Sequence, residues 1–95
     1  SFILKDKIKA WKIQKKNSMN LFVPFGKVKV VCYYKRRTVE FILNSKSPQK
    51  LNILPGVYYG FKGLVKKSLI LSLLDDLHNN ISSINKPSNL IEYDW

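Results

Sequence analysis

Between Leu21 and Leu74, apolar and polar residues alternate with a period of two, and Pro or Gly interrupts the pattern at intervals. A period of two puts successive side chains on opposite faces of an extended chain, so this stretch predicts short antiparallel strands. Lys27-Val28-Lys29-Val30 alternates strictly, and Val31-Cys32-Tyr33-Tyr34 continues as a β-branched and aromatic run. After a tip at Lys35-Arg36-Arg37, a return strand is predicted over 38–43, with further strands over 51–54, 57–61 and 68–74. Phe2 to Leu4 and Ile8 to Ile13 predict two earlier strands. Val23-Pro24-Phe25-Gly26-Lys27 reads as a turn, because Pro24 fixes φ while Gly26 frees it, and Pro55-Gly56 reads as another. Asn44 to Gln49 is a polar loop. Roughly eight strands at intervals of about 8–12 residues predict an all-β sandwich or barrel, with a jelly roll as the leading architecture.

From Asp75 onward Asp, Asn and Ser replace the alternating pattern, which predicts an irregular tail over 75–95 rather than a second domain. The tail ends in Ile91, Tyr93 and Trp95, and these are expected to dock on the barrel or on a second subunit. At 95 residues the chain is expected to form one domain, residues 1–74 supplying the strands. An apolar fraction of 45% excludes a disordered chain. The longest apolar run, Leu69 to Leu74, is too short for a spanning helix, and the N-terminus lacks the apolar core of a signal peptide. No membrane association and a cytoplasmic location are therefore expected. Cys32 is the one cysteine, so an intrachain disulfide framework is excluded.

The formal charge of +11 is unevenly placed. Residues 1–50 carry thirteen Lys and Arg against Asp6 and Glu40, whereas the remainder is balanced. Such asymmetry points to an anionic partner: nucleic acid, an acidic membrane surface, or a phosphorylated small molecule. The plainer reading is that outward-facing lysines solvate a small domain.

The glycines can be set against the cupin pattern, in which H-x-H, four residues, E, six residues and G are followed later by P-x-G-x-x-H. With Gly26 as the first glycine, Met19 stands at the carboxylate and Lys12 and Gln14 at the two histidines. With Gly56 as the second, Tyr59 stands at the third histidine. Iron, manganese and zinc want imidazole and carboxylate, so no metal is expected with these four side chains.

The likeness extends further. The run from Ala10-Trp11-Lys12-Ile13-Gln14-Lys15 through Asn20-Leu21-Phe22-Val23-Pro24-Phe25-Gly26-Lys27-Val28 resembles the corresponding stretch of dTDP-4-dehydrorhamnose 3,5-epimerases and dTDP-sugar 3,4-ketoisomerases, which are metal-free cupins. Pro55-Gly56-Val57-Tyr58-Tyr59-Gly60-Phe61-Lys62-Gly63-Leu64 is similar to their second motif, Leu74 to Asn80 to a later segment, and Ile91-Glu92-Tyr93-Asp94-Trp95 to their closing I-P-Y-D-W. The resemblance implies a cupin-type double-stranded β-helix. It also implies a sugar-nucleotide epimerase or isomerase that acts on, or binds, a dTDP-4-keto-6-deoxyhexose in surface polysaccharide biosynthesis.

Members of that family remove a proton next to the sugar carbonyl with a histidine base. Gln14 stands in its place here, and an amide does not accept a proton at neutral pH. The candidate catalytic residues are then Lys12, Tyr59 and His78. Lys12 serves as a base if burial lowers its pKa, or as a cation for the diphosphate. Tyr59 serves as a proton donor, and His78, the one histidine, as a proton carrier near the barrel mouth or as a loop anchor. Lys12, Gln14, Asn20 and Tyr59 are the candidate substrate-binding residues.

The family also carries strands ahead of the position of Ser1, and their absence implies a shortened barrel or an incomplete chain. An exposed sheet edge favours a homodimer. Two other functions are open: a non-catalytic cupin that binds a sugar nucleotide, and a basic barrel that binds single-stranded nucleic acid through Trp11, Phe22, Phe25 and Tyr33 as stacking groups.

Overall fold

A computed structural model describes residues 1–74 and 83–95. Among these residues there are nine strands and no helix: β1 (Phe2–Leu4), β2 (Ile8–Gln14), β3 (Met19–Phe25), β4 (Lys27–Tyr34), β5 (Arg37–Asn44), β6 (Leu51–Ile53), β7 (Tyr58–Gly63), β8 (Lys67–Leu74) and β9 (Ser83–Asn85). No described helix is long and apolar enough to cross a membrane. The strands form two antiparallel sheets, one ordered β1-β8-β3-β6 and the other β5-β4-β7-β2-β9, and the pair packs as a jelly roll.

Alternation decides what lies between the sheets. In β3, Met19, Leu21 and Val23 are buried while Asn20 and Phe22 between them are partly exposed. In β4, Val28 and Val30 point into the same core, and Tyr59 and Phe61 of β7 meet them there. The opposite face of the four-stranded sheet stays apolar, with Phe2, Leu4, Leu71 and Leu73 exposed.

Three sequence expectations change. The turn expected over Val23 to Lys27 shrinks to Gly26, because β3 runs on through Pro24 and Phe25. Proline lacks an N–H, and the β3–β8 register accordingly shifts between Phe22 and Phe25. The tip at 35–37 is a two-residue link, Lys35 and Arg36, both with positive φ (47° and 65°), and Arg37 already belongs to β5. The tail contains β9, which pairs with β2 through Lys12↔Asn85, Ile13↔Ile84 and Gln14↔Ser83. Period-two patterning over three residues is too short to stand out in a polar segment, and the open edge of β2 recruits it.

Cys32 packs against the core from β4, and burial pushes its thiol from 9.0 up to about 11. The folded chain therefore keeps this proton at a pH where the unfolded chain has lost it. Below pH 9 the group contributes equally to both states, and stability falls as pH rises from about 9 to 11. A Cys32→Ala variant is expected to show a shallower alkaline decline in urea midpoint than the parent. Parallel declines would contradict the burial of the thiol.

Candidate functional site

The cluster at the motif positions is built by three strands. Gln14 ends β2, Met19 opens β3 in the facing sheet, and Tyr59 lies next to the start of β7. Residues 15–18 carry the chain from one sheet to the other, so the side chains of Gln14 and Met19 meet across the core. Gln14 Nε2 donates to Tyr59 Oη at 3.3 Å and to Met19 Sδ at 3.5 Å. The Tyr59 hydroxyl donates in turn to Met19 Sδ at 3.7 Å. All three residues are at most 3% exposed. The backbone closes the arrangement: Gly56 N donates to the carbonyl of Gln14 at 2.8 Å and ties the Pro55-Gly56 turn to the end of β2.

Chemically, the cluster is neutral. Burial raises the pKa of Tyr59, partly offset by the hydrogen bond from Gln14, so the phenol keeps its proton at neutral pH. An amide, a thioether and a neutral phenol offer no general base, and they are poor ligands for a hard or borderline divalent metal. Among the described residues, no three His, Cys, Asp or Glu side chains come together. Every buried side-chain nitrogen and oxygen that is described has a hydrogen-bond partner.

The other sequence candidates lie elsewhere. Lys12 pairs in register with Tyr59, which puts both on one face of the sheet, but its side chain is exposed. Asn20 sits between buried Met19 and Leu21, hence on the outer face of β3, and its Oδ1 accepts from Asn52 Nδ2 at 2.9 Å. His78, and with it Asp75 and Asp76, lies outside the described residues. Of the proposed stacking aromatics, Trp11 is buried under Tyr93 and Trp95 and is closed to a nucleobase, whereas Phe25 is exposed.

One feature escaped the sequence reading. A cavity of about 730 Å³ opens at the far end of the barrel, lined by Phe25, Lys27, Lys46, Val65, Lys66 and Lys67 among others. Its lysines come from the start of β4, the loop after β5 and the link from β7 into β8, and only the topology brings them together.

No protein-family model matches the chain, and no curated protein matches its sequence. Solved structures do match. A dTDP sugar isomerase from Desulfovibrio desulfuricans G20 superposes with a TM-score of 0.83 at 27% identity, over 95% of this chain and 63% of that one. The fold is a cupin of the dTDP-sugar isomerase and epimerase type. The epimerase RmlC from Legionella pneumophila shares this cupin architecture, with a TM-score of 0.73 at 18% identity over 90% of this chain and 50% of its own. The cupin domain of Drosophila melanogaster CENP-C does so at 0.70 and 18%, over 78% and 56%. This cupin thus spans less than two thirds of each of these three solved chains, and the last two likenesses concern the fold alone.

Proposed function

We propose that this cupin binds a dTDP-4-keto-6-deoxyhexose at the barrel mouth without isomerising it through the usual proton abstraction. The observation that carries this reading is the Gln14 amide in the place of the histidine base, donating to a phenol that burial keeps neutral. The similarity to a dTDP sugar isomerase supports the ligand class. Lys12, exposed on the same face as Tyr59, is the cation placed to meet the diphosphate.

Solvent-deuterium exchange into dTDP-4-keto-6-deoxyglucose, followed by NMR, separates binding from catalysis. The expected outcome is saturable binding of dTDP, weakened about tenfold by Lys12→Glu, with no deuterium entering next to the carbonyl. Deuterium incorporation by the unaltered chain would overturn the non-catalytic reading. Failure of dTDP to bind would overturn the ligand assignment.

A further inference from the structure

The cavity at the Gly26 end lies far from the Gln14–Tyr59 cluster. Gly63, beside the cavity, pairs with Val28, while Tyr59 pairs with Cys32, four residues further along both strands. At about 3.3 Å per residue that is a separation of about 13 Å along the sheet. The two regions occupy opposite ends of the barrel.

Its lining combines cationic and apolar side chains. Lys27, Lys46, Lys66 and Lys67 line it together with Asn44 and Ser45, and among the described residues no carboxylate does. Among the described residues the side chains of Lys27, Lys46 and Lys66 have no hydrogen-bond or ion-pair partner, while Lys67 Nζ sits 4.3 Å from the ring centre of Phe2. Ammonium groups gathered without counter-charge repel one another, and an anion among them relieves that repulsion. In the same lining Phe25 is 57% exposed and Leu4 54%, and Val65 joins them. An uncovered aromatic at the edge of a cationic cavity offers a flat apolar group a surface to lie on.

The walls are also held in place before any ligand arrives. Ser45 N donates to the carbonyl of Gly26 at 3.0 Å and Leu64 N to that of Lys27 at 3.0 Å. Buried Ser68 accepts from Lys27 N at 3.0 Å and donates to the Lys27 carbonyl at 3.1 Å. Lys5 N donates to the carbonyl of Lys66 at 3.3 Å. These bonds join the backbone segments that carry the lysines, so a ligand has to order the lysine side chains but not the chain that bears them.

We infer that this cavity is a separate binding site for a soluble organic phosphate, its phosphate groups among the four lysines and its flat apolar body on Phe25 and Leu4. The inference does not depend on the function proposed for the opposite end. Amide NMR titration of the full chain tests it, with ADP as probe and pyrophosphate and adenosine as its two halves.

ADP is expected to shift Gly26, Ser45 and Val65 whatever the response of Gln14 and Tyr59, and pyrophosphate is expected to compete. A folded Lys46→Glu/Lys66→Glu double variant is expected to bind ADP at least tenfold more weakly, and Lys35→Glu, at the exposed tip between β4 and β5, to bind it unchanged. Shifts confined to the Lys12 and Tyr59 end would overturn the site. So would an affinity indifferent to the double charge reversal, or adenosine binding as tightly as ADP. Anionic vesicles captured by a chain that ignores ADP would assign the lysines to a lipid surface and overturn the soluble ligand.

Discussion

Replacing Trp11 by alanine is expected to lower the unfolding free energy by about 3–5 kcal/mol, the range for deleting a large buried aromatic side chain. Trp11 is 1% exposed. Its ring centre lies 5.3 Å from that of Trp95 and 6.4 Å from that of Tyr93, the latter edge to face at 85°. Trp11 Nε1 also donates to the carbonyl of Ile91 at 3.3 Å, so truncation leaves both a cavity and an unpaired acceptor.

The closing segment is held by other contacts on the outer face of the five-stranded sheet. Lys29 Nζ and Lys62 Nζ, on paired residues of β4 and β7, donate to the carbonyl of Trp95 at 2.6 and 3.3 Å. Because Trp11 and Trp95 touch, Trp95→Ala and the double variant are expected to be non-additive by about 0.5–3 kcal/mol. Urea unfolding followed by circular dichroism measures all three. A loss below about 1 kcal/mol for Trp11→Ala would mean that the segment over 91–95 does not cover it in solution.

The second large effect is expected at Gly26. Its φ is +91°, and a Cβ there would lie 2.7 Å from both the Lys67 carbonyl oxygen and Ser68 Cα. The conformational penalty for an L-residue is about 1–2 kcal/mol, and forcing an atom into packed backbone adds about 1–3 kcal/mol. Gly26→Ala is therefore expected to cost about 2–5 kcal/mol. Gly56 supplies the control, since its φ is +86° and nothing lies within 4 Å of a Cβ built on it. Gly56→Ala carries only the conformational part, about 1–2 kcal/mol. Equal losses in the two variants would show that the contact with Ser68 and Lys67 does not matter.

Much of this cupin was legible in the chain. Period-two alternation located the long strands, since Val28, Val30, Leu21 and Val23 are buried where alternation puts them. Motif spacing also brought Gln14, Met19 and Tyr59 to a common point, because the Gly26 and Gly56 turns set where the strands around them begin and end.

What the strand pattern left open depended on neighbours distant in sequence. Three-residue β9 exists because β2 has an edge to fill, and Asn20 faces outward because its flanking residues fill the core. Lys12 stays exposed although Tyr59, its partner in register, is buried. The lysines of the far cavity lie at strand starts and links in three separate stretches of the chain that only the strand order places side by side. Local patterning thus determined the strands and where their turns fall. Tertiary packing alone decided which charges gather at one end, because a field is the sum of groups the chain brings together from far apart.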